Sequence, residues 1–287
     1  MQKRSKKLLN DFEIFLQNNL PQIESFHPHY NKALSDMFKA GGKRFRPQLL
    51  LEVVNAYEPL LLPAANHIAA AIEMLHTYSL IHDDLPTFDD ADLRRGQPTL
   101  HVLYDQVTAT LVGDALNSHS FYMIANAPLS SDQKVALIKE LAINGGAEGM
   151  VLGQAIDCFF ENQKLSIDEL TFLHLNKTAK LIAASLKMGA IVVDLPTDVQ
   201  NNLYEIGLKI GLLFQIQDDI IDATLSTEEA GKPTQNDMAK NSFTNLLGVE
   251  GAKAEKAKIV EEIETKLYDL EDTLRKSLHD LIEYYLK

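Results

Sequence analysis

An all-α fold is predicted by three features of this 287-residue chain. Helical periodicity with few breakers recurs near 5–19, 30–39, 47–57, 64–84, 101–126, 131–160, 168–192, 198–223 and 252–286. Glycine and proline cluster at the joints between those stretches: Gly41 and Gly42, Pro59 and Pro63, Gly96 and Pro98, Pro128, Pro196, Gly231 and Pro233. The one strand-like run, Ala190 to Val193, continues the apolar helical pattern that starts at Leu181, so it is read as helix.

Taken in order, the early segments 5–19 and 30–39 are amphipathic and carry no chemical motif. From Pro59 to Ile72 the chain is nearly free of charge, which marks the 64–84 helix as buried; this longest uncharged run is too short to span a bilayer. The stretch from Ala252 to Lys287 is charge-rich and amphipathic and suits an outer helix. No composition shift, low-complexity linker or fixed-period repeat marks a boundary, so one domain over 1–287 is expected.

A net charge of −13 argues against nucleic acid or an anionic membrane surface as partner. Cys158 is the only cysteine, which excludes an intramolecular disulfide and a thiolate metal cage and fits a reducing cytoplasm. The start MQKRSKK runs into Asp11 and Glu13 and lacks the apolar core of a signal peptide.

The stretch that organises the chain is HTYSLIHDDLPTFDDADLRR, from His76 to Arg95. Its carboxylates Asp83, Asp84, Asp89, Asp90 and Asp92 stand at the end of an otherwise buried helix, where self-repulsion and desolvation call for a cation. His76, Leu80 and Asp83 or Asp84 share a helix face. Pro86 cannot continue the helix, so the chain should bend and carry Asp89 back toward the first pair.

A second acidic cluster lies in FQIQDDIID, Phe214 to Asp222, where Gln215, Asp218 or Asp219, and Asp222 share one face. Two aspartate pairs on apolar helices invite a shared cavity. Oxygen ligands with open positions suit Mg²⁺ bridged to phosphates. Cations are placed to match: Lys43, Arg44 and Arg46 in GGKRFRP, then Arg94 and Arg95, Lys177 beside Thr178, and Lys232 and Lys240. Taken singly, His76 reads as a core histidine and the four later residues, Lys177, Thr178, Lys232 and Lys240, as surface groups; only the motif order raises them. Arg44 could simply pair with a carboxylate at a helix end. Asp157, after Gly153 and Gln154, divides evenly between a cavity role and a structural one.

GGKRFRP, HDDLPTFDDADLRRGQPTLH, GDAL at 113–116, NKTAKL at 176–181, FQIQDDIID and GKPTQND at 231–237 stand in the order seen in trans-prenyltransferases. Over roughly residues 35–250 the chain resembles the bacterial short-chain polyprenyl diphosphate synthases, most of all those making farnesyl diphosphate. The resemblance implies an isoprenoid synthase fold, an orthogonal and antiparallel helix bundle around a central cavity. It also implies head-to-tail condensation of isopentenyl diphosphate with an allylic diphosphate in a homodimer, for which the helix from His101 to Ala125 could supply the interface. By similarity, Asp83, Asp84, Asp89 and Asp218 bind Mg²⁺, three ions in all. Arg94, Lys177 and Lys232 hold the allylic diphosphate, and Lys43, Arg46, His76 and Arg95 hold isopentenyl diphosphate. Thr178 and Gln215 face the carbocation, while Tyr78 with Ser79 sets a C15 product. Between Asp237 and Leu246 the chain is shorter than the family's segment, which puts Lys240 in question as a phosphate ligand. The alternatives are a longer-chain synthase, a class I terpene cyclase and a non-catalytic subunit of a heteromeric synthase.

Overall fold

The computed structural model describes residues 3–224 and 241–286. Its helices are α1 (Lys3–Asn18), α2 (Tyr30–Lys39), α3 (Phe45–Tyr57), α4 (Leu62–Asp83), α5 (Leu100–Leu103), α6 (Gln106–Ala125), α7 (Ser131–Gly145), α8 (Met150–Phe159), α9 (Ile167–His174), α10 (Lys180–Val192), α11 (Thr197–Thr224), α12 (Phe243–Leu267) and α13 (Asp272–Leu286). Among the described residues the strands are β1 (Leu93–Arg94) and β2 (Gln97–Pro98), an antiparallel pair that the periodicity did not predict.

Two cores share two helices. Leu50, Leu51 and Val54 of α3 pack into a core built with α1, α2, α4, α6 and α7. Phe45, Leu49 and Val53 of the same helix pack into a second core with α9, α11, α12 and α13. Helix α10 divides likewise: Leu181, Ala184 and Met188 face the first core, and Ile182, Leu186 and Ala190 face the second. These helices are therefore buried all round, and α10 runs through the strand-like stretch to Val192. Central α4 packs against α6 and α3, and α10 against α11.

Several expected helices are divided. The 131–160 stretch breaks after Gly145, because Gly146 and Gly149 adopt non-helical backbone angles. The 101–126 stretch breaks at Tyr104, after which Asp105 caps α6 by accepting from the Thr108 N–H at 2.7 Å. A π turn, Leu175–Ala179, interrupts 168–192 between α9 and α10. The last stretch is longer than expected and split: α12 starts at Phe243, kinks at Gly248 (φ 73°), and ends before α13. Periodicity carries across such breaks because flanking residues stay on the same buried face.

One polar cluster sits inside the first core. Arg44, 2% exposed, donates from Nε to Glu13 Oε1 at 2.6 Å, from Nη1 to Glu73 Oε1 at 2.8 Å and from Nη2 to the Phe38 carbonyl at 3.0 Å. It thereby ties the loop before α3 to α1, α2 and α4. A buried guanidinium needs such partners, and removing one of them costs about 3–5 kcal/mol.

Candidate active site

The end of α4 builds the acidic side. The Asp84 N–H still reaches Leu80 O at 3.0 Å, but Pro86 stops the helix and the chain folds back. The Asp89 N–H then donates to Asp83 O at 2.9 Å and the Ala91 N–H to Asp84 O at 3.1 Å, so the expected return of Asp89 to the first pair is met. The hairpin beyond turns at Arg95 and Gly96, both left-handed at φ 53° and 72°.

The two arginines of that hairpin go different ways. Arg94 donates from Nε and Nη2 to a single oxygen of Asp84. Arg95 reaches back to the carbonyl of Gly41 and lies against Gly42, where a Cβ would come 2.6 Å from Arg95 Nη1. The second glycine of GGKRFRP is favoured by its own backbone, at φ 154°, and a side chain there would also push the Arg95 guanidinium aside.

The basic side is crowded. Arg46 Nη1 donates to His76 Nε2 at 3.2 Å, which makes the imidazole an acceptor there and places its proton on Nδ1. Burial, followed by Arg46, Arg95 and Arg94, holds the His76 ring well below the ordinary histidine range, so it is neutral at physiological pH. Burial lowers Arg46 to about 10; Glu73 opposes this shift and Arg95 adds to it. Cations packed this closely are poised to take up an anion.

On the opposite elements, the π turn delivers Lys177 and Thr178. A Cβ at Gly153 of α8 would lie 2.1 Å from the Lys177 backbone nitrogen, so only glycine lets α8 approach the turn. Lys177 Nζ pairs with Asp157 Oδ2 at 2.5 Å. Burial pulls the lysine down, but Asp83, Asp157 and Asp89 outweigh it and hold the ammonium above its usual range. Gln154, one turn from Asp157, donates to Asp83. Burial raises the Asp83 carboxyl, against which Lys177 is the largest counterweight.

Helix α11 turns its adjacent Asp218 and Asp219 to different surroundings. Asp219 is buried and accepts from Gln215 Nε2 at 2.9 Å and from the Phe243 N–H at 2.8 Å, so it anchors the start of α12. Asp218 faces the cavity. Thr178 Oγ1 donates to Gln215 Oε1 at 3.2 Å and joins the π turn to α11.

These elements enclose a cavity of about 670 Å³. Of the residues singled out in the sequence, Arg46, His76, Tyr78, Ser79, Asp83, Arg94, Arg95, Lys177, Thr178, Gln215 and Asp218 line it. Asp84 does not; it is buried behind Arg94, with its Oδ2 unpartnered among the described residues. Asp89 is exposed beside Asp83. Lys43 lies next to the cavity, with Nζ 5.9 Å from the ring centre of Phe214. Lys232 and Lys240 fall outside the described residues. Asp222 lies off the cavity, while Asp157 enters the site through Lys177. The sequence reading gave Gln154 no role; its spacing from Asp157 on one helix face was the available signal.

A polyprenyl synthetase family model matches residues 27–281. The chain belongs to that family. Among its relatives, the farnesyl diphosphate synthase of Haemophilus influenzae is 42% identical over 247 residues, spanning 83% of this chain and 82% of that protein. A chloroplastic geranylgeranyl pyrophosphate synthase of Catharanthus roseus is 38% identical over 253 residues, 85% of this chain and 70% of that one. The crystal structure of geranyltransferase from Helicobacter pylori, complexed with magnesium and isoprenyl diphosphate, matches with a TM-score of 0.92 at 48% identity, covering 98% of this chain and 95% of that one. The chain is thus a prenyltransferase with the all-α isoprenoid synthase fold. None of its described helices is long and apolar enough to cross a membrane.

Proposed function

We propose that the chain, as one domain over residues 1–287, condenses isopentenyl diphosphate head-to-tail with dimethylallyl or geranyl diphosphate to give farnesyl diphosphate. The observation that supports this most is that one cavity combines an aspartate set, a cluster of arginines and lysines, and an apolar lining that includes Tyr78, Phe88, Met150 and Phe214. Diphosphates suit the first two and a prenyl chain the third.

The donors fit Mg²⁺. They are hard carboxylate oxygens, one of them the unpartnered Asp84 Oδ2. No group of three or more metal-ligating side chains is preassembled among the described residues. Carboxylates of this kind suit an ion that keeps waters and takes further oxygens from substrate phosphate. Asp83, Asp84, Asp89 and Asp218 would hold three such ions. When bound, Mg²⁺ neutralises the charge that grows on the departing diphosphate.

The allylic C1–O bond breaks with its electron pair on the leaving diphosphate, the isopentenyl double bond adds to C1, and the departed diphosphate takes the proton lost from C2. No side chain is nominated as the base. Arg94, Lys177 and Lys232 hold the allylic diphosphate and stabilise its developing charge. Lys43, Arg46, His76 and Arg95 hold isopentenyl diphosphate. The oxygens of Thr178 and Gln215, fixed against each other, offer lone pairs to the cation.

Tyr78 and Ser79 set product length. A C20 product is the second reading, favoured by the likeness to the Catharanthus roseus enzyme. We place the protein in the cytoplasm as a homodimer, with exposed Val107, Leu111 and Tyr122 of α6 in the interface. The deciding experiment incubates purified protein with Mg²⁺, isopentenyl diphosphate and either starter, and reads chain length after dephosphorylation. A C15 alcohol is expected, C20 would support the second reading, and no product would overturn both.

A further inference from the structure

The end of α13 closes over the basic loop that precedes α3. The Tyr285 hydroxyl donates to the Lys43 carbonyl at 3.2 Å and accepts from Gln48 Nε2 at 2.8 Å, and the same Gln48 nitrogen donates to the Lys43 carbonyl at 2.7 Å. Three polar groups from α13, α3 and the loop therefore form one closed triangle around a single peptide oxygen.

The tyrosine ring makes a second connection to the same lysine. It meets Phe45 edge-on at 5.4 Å, Phe45 stacks on Phe214 at 6.0 Å, and Phe214 lines the cavity. The Lys43 ammonium lies 5.9 Å from the centre of that Phe214 ring. Backbone and side chain of Lys43 are thus both referred to Tyr285, although the lysine itself is exposed and its neighbour Arg44 is held in the left-handed region at φ 47°. A loop with that backbone geometry keeps it only where its surroundings over-determine it.

We propose that Tyr285 is a positioning residue for the homoallylic substrate: it fixes the Lys43 carbonyl and the aromatic face beside the Lys43 ammonium, so that the ammonium meets an incoming diphosphate without first being ordered. This rests on the assignment of Lys43, Arg46, His76 and Arg95 to isopentenyl diphosphate. Preorganisation of this kind acts on binding of one substrate and leaves the other untouched.

The test is steady-state kinetics on the full chain with Mg²⁺, isopentenyl diphosphate and geranyl diphosphate, for Tyr285→Phe, Tyr285→Leu, Lys43→Ala and the double variant Lys43→Ala/Tyr285→Phe. Tyr285→Phe keeps the ring against Phe45, so its thermal midpoint should match the parent. Its KM for isopentenyl diphosphate should rise about three- to tenfold, the range for loss of one hydrogen bond, with KM for geranyl diphosphate unchanged. Tyr285→Leu should raise the same KM further. The double variant should behave as Lys43→Ala alone, because the tyrosine acts through that lysine. An unchanged KM for isopentenyl diphosphate in Tyr285→Phe, or an equal rise for both substrates, overturns the proposal while Lys43→Ala still behaves as assigned. If Lys43→Ala itself leaves that KM unmoved, the assignment of the basic loop fails and the role of Tyr285 fails with it.

Discussion

Arg94 places Nε and Nη2 on one oxygen of Asp84, at 2.7 and 2.6 Å, and leaves the other oxygen of that buried carboxylate unpartnered among the described residues. The second aspartate of the HDDLP motif therefore aims an arginine into the cavity as well as being a candidate metal ligand. Asp84→Asn should lower kcat/KM for the allylic diphosphate, and the double variant Asp84→Asn/Arg94→Ala should be little worse than Arg94→Ala alone. Fully additive losses would show that Asp84 acts independently of Arg94.

Asp83 lines the cavity and is felt by Lys177, Asp89 and Arg94. Asp83→Ala should cut turnover roughly a hundredfold or more at saturating Mg²⁺, the scale on which a preorganised electrostatic group acts. The thermal midpoint should hold. A parent-like rate under those conditions would contradict the assignment of Asp83 to the metal.

Tyr78 is 8% exposed and rests edge-on against His82 at 5.5 Å. Tyr78→Ala should open the cavity beneath the growing chain and shift product toward C20, read by chain-length analysis of the dephosphorylated alcohols. An unaltered C15 distribution would place the floor elsewhere.

Gly153→Ala tests the contact between α8 and the π turn. At an open helical site this change stabilises by up to about 1 kcal/mol. Here the added Cβ meets the Lys177 backbone nitrogen at 2.1 Å, so the melting temperature should fall and KM for the allylic substrate should rise. A raised melting temperature with unchanged kinetics would disprove the close approach.

His174 is buried beneath Phe243 with neither ring nitrogen partnered among the described residues, and burial lowers its pKa from 6.5 to about 4. The folded protein binds this proton less readily than the unfolded chain. Stability from this site is therefore complete above pH 6.5 and is lost as pH falls toward 4. At pH 5 the loss is of order 2 kcal/mol. His174→Phe should flatten the decline between pH 7 and 5 in denaturant titrations; an unchanged slope would locate acid sensitivity elsewhere.

Much of this was legible in the sequence because side-chain chemistry and local breakers both announce themselves. Pro86 foretold the bend that brings the Asp89 N–H to Asp83 O, and the order of the basic and acidic motifs foretold which residues would share a cavity. The division of labour between Asp218 and Asp219 was not legible, since both carboxylates fit one helical face. What separates them is the Phe243 N–H, which arrives from a distant part of the chain and claims Asp219. The breaks after α7 and after α12 were missed for a related reason: apolar periodicity survives a break, with a glycine at Gly146 or without one at 268–271, when the residues on both sides stay buried. For Arg44 the sequence offered a carboxylate at a helix end as a partner but could not name Glu13 and Glu73, which lie within two other helices distant along the chain.

The π turn from Leu175 to Ala179 has a consequence for how this catalyst can vary. A π turn amounts to one residue more than a regular helix would hold over that span. Deleting one position there would close the widened turn and let α9 and α10 join as an unbroken rod with both flanks in phase, moving only the residues inside the turn. The rod would be the better helix, and Lys177 and Thr178 could no longer both face the cavity. Variation in the 175–179 stretch is therefore confined twice over: Lys177 and Thr178 have to keep their chemistry, and the one extra residue has to stay so that the widened turn can present them.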